Sequence, residues 1–203
     1  RVAQLKAERP LQLPGLDDPR SHYGLVQAVA DALDDSAFVA TDVGQHQMWV
    51  AQAYPLRRPR QCLTSGGLGT MGFGLPTAIG AALANPERTV VCFSGDGSIL
   101  MNIQEFATLA EAGLNVKVVL MNNASLGLVH QQQERFYGER IFASRFIAQP
   151  DFLQIARGFR IAELDLDAAA DPRAALKQAL NAPGPCLIHA SIDVKEKVYP
   201  MVP

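Results

Sequence analysis

Residues 89–98 read TVVCFSGDGS, and this stretch decides the fold. Its first six residues form an apolar run without clean alternation, which is typical of a strand buried on both faces of a sheet. The run ends in Gly95-Asp96-Gly97-Ser98, where glycine frees the backbone and the aspartate and serine offer oxygen atoms. Because ligands of open α/β sheets bind beyond the carboxyl ends of the strands, we expect this turn to belong to a binding site.

Similar short apolar runs recur along the chain, with helix-like segments between them. Strands are predicted at 37–41, 89–94, 116–122 and 186–192, with a further candidate at 161–164. Helices are predicted at 23–33, capped by Ser21, and at 44–53, 75–84, 101–112, 127–137, 151–157 and 172–181. This order predicts an α/β fold, a three-layer parallel sheet flanked by helices. Residues 1–20, rich in proline, are expected to be an interdomain linker or tail, and residues 21–203 the domain.

Composition excludes several classes of function. The net charge of −2, from 18 basic and 20 acidic residues, predicts no nucleic-acid or anionic membrane partner. Residues 61–86 carry no charge, but six glycines and Pro76 argue against a membrane span there. The three cysteines are far apart and lack metal-site spacing, which favours reduced thiols in a cytoplasmic protein. Since the chain begins with Arg1, we expect a fragment of a longer protein.

Polar residues also follow the other predicted strands. Gly44-Gln45-His46 comes after 37–41, and Asn122-Asn123 comes at the end of 116–122. Asp96 and Asn123 are one strand–helix–strand unit apart, so adjacent parallel strands would bring both to one edge of the sheet. Carboxylate and amide oxygens suit Mg²⁺, and the free amides of the helix that opens at Ser98 suit a phosphate. Either turn alone would be an ordinary turn; together they predict a diphosphate held through Mg²⁺.

A second glycine-rich stretch offers an alternative. GLGTMG at 67–72 matches the G-x-G-x-x-G spacing of a Rossmann NAD-binding domain, and Asp96 stands near the position of its acidic residue. That alternative requires a strand before the glycines, where residues 60–65 give a weak signal. A non-catalytic binding or assembly domain also stays open, because Phe136, Tyr137, Ile141 and Phe142 fit either an interface or a core.

The long pattern from Ile79-Gly80 through Pro86 to Gly95-Asp96-Gly97-Ser98, followed by Asn122-Asn123, resembles the thiamine diphosphate motif. More narrowly, VGQHQMW (43–49), SGGLGTMGFGLP (65–76) and EKVYPMVP (196–203) resemble the large catalytic subunit of acetolactate synthase (acetohydroxyacid synthase). The resemblance covers nearly all of the chain after the linker and corresponds to the C-terminal domain, the thiamine diphosphate-binding fold. Pyruvate oxidase, glyoxylate carboligase and 2-keto acid decarboxylase share the Asp-Gly and Asn-Asn pair and stay open as alternatives.

The resemblance implies roles for individual residues. Mg²⁺ would be bound by the side chains of Asp96 and Asn123 and by the main-chain carbonyl of Ser125. The other implied cofactor-binding residues are Gly44, Gln45, His46, Gly69, Met71, Gly95, Gly97 and Ser98. Of these, Gly69 and Met71 would contact the aminopyrimidine, and the Met71 side chain would brace the bent cofactor. The substrate pocket would include Leu128 and Gln132; many family members carry tryptophan at the latter position, and glutamine resembles the bacterial isozyme I type.

The resemblance also implies an activity. Such enzymes decarboxylate pyruvate and condense the hydroxyethyl carbanion with a second 2-keto acid in branched-chain amino-acid biosynthesis. They are flavoproteins whose FAD is bound mainly by a middle domain, and they form homodimers of catalytic subunits with a small regulatory subunit. Their activating glutamate lies on an N-terminal domain of the partner subunit. The 203 residues contain neither domain, so we expect no catalytic residue here and an inactive isolated chain.

Overall fold

The computed structural model describes residues 1–201, and of residues 2, 3 and 6 the backbone alone. The last two residues of the EKVYPMVP stretch therefore lie outside the described part. Six strands form one sheet: β1 (Phe38–Thr41), β2 (Cys62–Thr64), β3 (Val90–Gly95), β4 (Val116–Asn122), β5 (Ala162–Asp165) and β6 (Cys186–Ser191). All neighbouring pairs are parallel, in the order β2-β1-β3-β4-β6-β5. The predicted α/β class and parallel sheet are confirmed.

Most of the helices lie close to the predicted positions. They are α1 (Val2–Glu8), α2 (His22–Ala32), α3 (Gln45–Ala53), α4 (Gly74–Ala84), α5 (Asp96–Ile99), α6 (Phe106–Glu111), α7 (Gly127–Phe136), α8 (Phe152–Gly158) and α9 (Pro172–Asn181). The Ser21 side chain caps α2 by accepting the Gly24 N–H at 3.0 Å, as its sequence position indicates. No helix within residues 1–201 is both long and apolar enough to cross a membrane.

Side chains of successive strand residues build two cores, one on each face of the sheet. On β3, Val91 and Phe93 pack in the cluster that includes residues of α2, α3 and α9. Val90 and Cys92 pack on the opposite face, in the cluster that includes residues of α4, α6 and α8. Burial on both faces explains why these strands show no alternation of apolar and polar residues. The cysteines, Cys62, Cys92 and Cys186, are free thiols.

The structure corrects the prediction in several places. The edge strand β2 and the short helix α1 were not predicted. The predicted helix at 101–112 is instead a 3-10 helix, Ile103–Glu105, followed by α6. The helix expected to open at Ser98 begins at Asp96. Residues 1–20 contain α1 and contact the domain, since Arg173 donates to the Asp17 carbonyl at 2.8 Å; their role as an interdomain linker stays a prediction.

The strand order indicates at which edge of the sheet a ligand would bind. From β1 the chain continues to β2 on one side and then crosses to β3 on the other, so the order reverses between β1 and β3. In open α/β sheets such a switch point leaves a crevice at the carboxyl ends of the two strands. Strand β4 lies directly beside β3, which brings its polar C-terminal turn to the same crevice.

Candidate functional site

A cavity of about 240 Å³ lies at the carboxyl ends of β1, β3 and β4. All predicted site residues but one line it: Gly44, Gln45, His46, Gly69, Met71, Gly95, Asp96, Gly97, Ser98, Asn123, Ser125 and Leu128. The exception is Gln132, which is exposed and lies one turn of α7 beyond Leu128. The turns after three separate strands therefore converge as the strand-end argument predicts, and Gly69 and Met71 line the same cavity.

His46 is held in the cavity wall by two glycines. A Cβ atom on Gly44 would lie 2.9 Å from His46 Cε1, and one on Gly95 would lie 2.9 Å from His46 Nδ1. The ring is 4% exposed, and burial lowers its pKa to about 4, so the imidazole is neutral at physiological pH. Its Nε2 atom is buried without a hydrogen-bond partner among residues 1–201. A buried polar atom of this kind calls for a partner that the cavity would have to receive.

Asp96 is the buried carboxylate of the site. Its Oδ2 accepts the Ser125 N–H at 3.1 Å and the Gln149 side-chain amide at 2.5 Å. Burial raises the pKa of Asp96 to about 6, and the hydrogen bond from Gln149 is the largest of the effects that oppose this rise. An ionised carboxylate is costly at such a position unless further positive charge approaches it.

Asn123 supplies an amide oxygen beside this carboxylate. Its Nδ2 donates to Gln45 Oε1 at 2.9 Å, so Oδ1 is the atom that remains for a ligand. The turn that carries Asn123 and Ser125 is held from outside by residues 144–149. Leu126 N–H donates to the Ser144 carbonyl at 2.8 Å, and Phe146 N–H donates to the Ala124 carbonyl at 2.9 Å. Asp96, Asn123 and Ser125 thus bring carboxylate, amide and carbonyl groups to one cavity, and these are the oxygen donors that a hard divalent cation prefers.

Asp42 fastens the glycine loop to the sheet. This carboxylate is fully buried at the end of β1. Its Oδ1 accepts the N–H groups of Val43 and Gly72, both at 2.8 Å, and its Oδ2 accepts the Gly74 N–H at 3.2 Å. The loop that presents Gly69 and Met71 to the cavity is therefore fixed by its C-terminal end. Gly69 and Gly72 have φ values of 64° and 87°, which explains glycine at these two positions.

The turn at the end of β3, residues 95–98, is likewise held in place by contacts with other residues of the protein. The Ser98 hydroxyl donates to the Val43 carbonyl at 2.7 Å, so this hydroxyl proton is not free for a ligand. A Cβ atom on Gly97 would lie 2.5 Å from Leu126 Cδ2, so the turn and the start of α7 pack together closely. The first-turn amides of α5 have no acceptor in the backbone of the helix, and the Asp96 carboxylate engages that of Gly97.

A second group of ionisable residues lies at the neighbouring strand ends. Asp165, Asp167 and His189 bring possible ligand atoms within 4.8 Å of one another. His189 Nδ1 lies 3.9 Å from an oxygen of each carboxylate, and His189 Nε2 accepts from Asn122 Nδ2 at 3.0 Å. Since Asn122 Oδ1 in turn accepts the Ala124 N–H, this group supports the Asn123 turn from the side opposite the cavity.

Sequence reasoning missed several residues that shape the site. Asp42 stands directly after β1, so the strand-end rule could have found it. Gln131 and Gln149 reach the site from distant positions and had no signal in the local pattern. Gln131 is 2% exposed and contacts Gln45 at 2.9 Å, across 86 residues of sequence.

Comparison with known proteins bears on this geometry. The sequence model of the family described as "Thiamine pyrophosphate enzyme, C-terminal TPP binding domain" matches residues 42–190. The acetolactate synthase isozyme 1 large subunit of Escherichia coli (strain K12) is 63% identical over 202 residues, which are 100% of this chain and 36% of that subunit. The isozyme 2 large subunit of the same organism is 47% identical over 88% of this chain and 33% of the relative.

A plant relative shows similar coverage. The chloroplastic acetolactate synthase 2 of Zea mays is 44% identical over 98% of this chain and 32% of its own length. The chain thus spans about a third of the length of the relatives it matches. The matching family binds a cofactor other than NAD, so the Rossmann alternative is not supported. In a Rossmann domain the glycines open a helix, whereas here the 67–72 glycines come before α4, which begins at Gly74.

Proposed function

This chain belongs to the thiamine pyrophosphate enzymes, as their C-terminal cofactor-binding domain, and from that premise we propose that it serves an acetolactate synthase. The observation that carries the proposal is the convergence of the predicted cofactor residues in one cavity. The chain is also similar along its whole length to an acetolactate synthase large subunit. Pyruvate oxidase, glyoxylate carboligase and 2-keto acid decarboxylase are less well supported, because the relatives reported above are all acetolactate synthases.

The residues around His46 fit a diphosphate. The buried Nε2 atom of His46 has no partner among residues 1–201 and would donate to a phosphate oxygen when the ring carries a proton on that atom. We assign a backbone donor to the Ser98 N–H in the first turn of α5, because the Gly97 N–H is engaged by the Asp96 carboxylate, while Gly44 and Gly95 leave room for the imidazole. Because the Ser98 hydroxyl is engaged by Val43, we assign the phosphate contact of this residue to its backbone N–H.

Mg²⁺ fits the adjacent oxygen atoms. We assign it to the Asp96 carboxylate, to Oδ1 of Asn123 and to the main-chain carbonyl of Ser125. A cation there would stabilise the buried charge of Asp96, whose pKa is raised by burial. Mg²⁺ takes few protein oxygens and completes its coordination with phosphate and water, which agrees with three ligands beside the proposed diphosphate position.

Gly69 and Met71 would hold the rings of the cofactor. Their loop lines the cavity and is fixed by Asp42 through the Gly72 N–H, so its backbone has a defined position there. A methionine side chain adapts to an irregular apolar gap and would keep the cofactor bent. When bound, thiamine diphosphate supplies an electron sink that stabilises the carbanion formed as a 2-keto acid loses carbon dioxide. The protein contributes binding, orientation and exclusion of water.

The substrates, partners and location of the complete enzyme are part of the proposal. We propose pyruvate and a second 2-keto acid as substrates, FAD in a separate domain, a homodimer of catalytic subunits and a small regulatory subunit, in the cytoplasm. Phe136, Tyr137, Ile141 and Phe142 are exposed, between 37% and 80%, which favours an interface over a core. Leu128 lines the cavity and would border the substrate, with Gln132 at its outer edge.

The proposal is tested first by cofactor binding. Titration calorimetry of the chain with thiamine diphosphate and Mg²⁺ is expected to show binding that NAD does not reproduce. Asp96→Ala should weaken the Mg²⁺-dependent binding at least about tenfold, whereas Asp165→Ala, in the neighbouring acidic group, serves as the matched control. Loss of Mg²⁺-dependent binding in Asp165→Ala, with retention in Asp96→Ala, would place the cation in the acidic group of Asp165 and contradict its assignment to Asp96.

Activity is the second test. Because the activating glutamate is expected on another domain, the purified 203-residue chain should form no acetolactate from pyruvate. Acetolactate formation by this chain alone would contradict the proposed division of labour between domains.

A further inference from the structure

Three side-chain amides form a continuous hydrogen-bonded chain from the cavity to the C-terminal segment, residues 196–199. Asn123 Nδ2 donates to Gln45 Oε1, and Gln45 Nε2 donates to Gln131 Oε1, both at 2.9 Å. Gln131 then pairs with the backbone of Val198: its Nε2 donates to the carbonyl at 2.8 Å, and its Oε1 accepts the N–H at 3.0 Å. We call Asn123, Gln45 and Gln131 the amide chain.

The backbone of the C-terminal segment determines the direction of every bond in the amide chain. A side-chain amide can rotate by half a turn and exchange its oxygen with its nitrogen, but a backbone N–H and C=O cannot exchange. Val198 therefore fixes Gln131 with its oxygen toward Gln45. That oxygen, together with the Glu196 carbonyl at 3.1 Å, accepts from Gln45 Nε2, so the Gln45 oxygen faces Asn123. Asn123 must then donate through Nδ2, which leaves Oδ1 for the cavity.

Packing shows that the amide chain has little freedom to take another arrangement. Gln45 and Gln131 are 4% and 2% exposed, so neither can exchange its partners for bulk water. The bond between Asn123 and Gln45 lies against Gly127 at the start of α7. A Cβ atom there would overlap Gln45 Oε1 and lie 2.5 Å from Asn123 Nδ2. The absence of a side chain at position 127 is thus what makes room for this hydrogen bond.

We propose that Gln131 is a positioning residue that, with Gln45, lets the C-terminal segment orient the Asn123 amide toward the cation. The proposal rests on the assignment of Asn123 as a ligand of Mg²⁺. It implies that cation affinity depends on residues 196–199, although none of the cavity-lining residues comes from this segment. A partner that orients a metal ligand commonly matters 10- to 100-fold in metal affinity.

The test compares two methionine variants. Gln131→Met breaks the amide chain, whereas Gln52→Met removes a different contact to the same segment, the 2.7 Å bond from Gln52 Nε2 to the Tyr199 carbonyl. The first readout is the rate at which the Asn123 side-chain amide protons exchange with solvent. This rate is measured by NMR on the chain without ligand. We expect slow exchange in the wild type and in Gln52→Met, and exchange at least about tenfold faster in Gln131→Met.

The second readout is the Mg²⁺ concentration that half-saturates binding of thiamine diphosphate, which should rise about tenfold or more in Gln131→Met and less than about threefold in Gln52→Met. Unchanged Asn123 exchange in Gln131→Met, or equal effects of the two variants, overturns the inference. If the wild type shows slow exchange but binds no cofactor, the proposed function fails while the orientation by Gln131 stands. Should Gln131→Met not fold, Gln131→Asn keeps an amide that is too short to reach both Gln45 and Val198.

Discussion

Replacing Gly127 with alanine is expected to destabilise the protein, although this residue occupies the first position of a helix. At an ordinary position inside a helix, alanine is more favourable than glycine by up to about 1 kcal/mol. Here the added Cβ atom would overlap Gln45 Oε1 and come within 2.5 Å of Asn123 Nδ2. These atoms belong to buried or half-buried amides, so the methyl group has no open space to enter.

The magnitude follows from two costs. Breaking the hydrogen bond and leaving its buried groups without partners costs about 1–3 kcal/mol. Forcing a methyl group into a packed region costs a further 1–3 kcal/mol or so. After subtraction of a helix preference of up to about 1 kcal/mol, the free energy of unfolding should fall by about 1–5 kcal/mol. For a domain of this size, that corresponds to a decrease in Tm of roughly 2–20 °C.

The assay is thermal and urea unfolding followed by far-ultraviolet circular dichroism, with Gly80→Ala as the matched control. Gly80 lies in α4, is exposed, and has no atom within 4 Å of the position of an added Cβ. Gly80→Ala should therefore be as stable as the wild type or more stable, by up to about 1 kcal/mol. A Gly127→Ala protein as stable as Gly80→Ala would refute the argument that the amide chain requires glycine at position 127.

Four further outcomes are expected. Burial raises the pKa of Asp96 to about 6, so Mg²⁺-dependent cofactor binding should weaken toward tenfold per pH unit below that value, as protons compete with the cation. Without ligand the pH dependence is opposite, because the neutral carboxyl group is the form that the folded state favours. The contribution of Asp96 to stability is full below its unfolded pKa and is lost as the pH rises through about 6. Asp96→Asn should abolish this pH dependence when unfolding is measured over a series of pH values. Asp42→Ala leaves the Val43, Gly72 and Gly74 amides without their acceptor and should cost about 3 kcal/mol in urea unfolding, whereas a loss below 1 kcal/mol or so would show that water replaces the carboxylate. In the complete enzyme, Gln132→Trp should raise the preference for 2-ketobutyrate over pyruvate, by about 1–3 kcal/mol at most, and an unchanged product ratio would remove Gln132 from the substrate pocket.

The sequence predicts the regular elements well because their signals are local. Strand β4 begins and ends as the apolar run indicates, and α9 matches its predicted range. Strand β2 was missed because it has three residues at the edge of the sheet, where little burial constrains the sequence. The start of helix α5 was predicted two residues late, at Ser98, because four residues are too few to show helical periodicity.

The cavity was predictable for a different reason. Parallel strands end at a common edge, so the residues after β1, β3 and β4 could be brought together without knowledge of side-chain contacts. The polar partners of those residues could not, because each depends on a distant position. Gln131 looks like any residue of a polar helix, and Gly127 looks like a helix start; their roles appear only when Gln45 and Val198 are in place.

The burial of Asp42 has a consequence for the motions of the glycine loop. Amides in irregular loops usually exchange with solvent quickly, because such segments open with little cost. Gly72 and Gly74, however, donate to a fully buried carboxylate at the end of β1. Their amide protons can exchange only when that end of the sheet opens too. The loop is thus irregular in shape but shares the local stability of the strands, and a ring bound against Gly69 and Met71 would meet a surface that is already rigid.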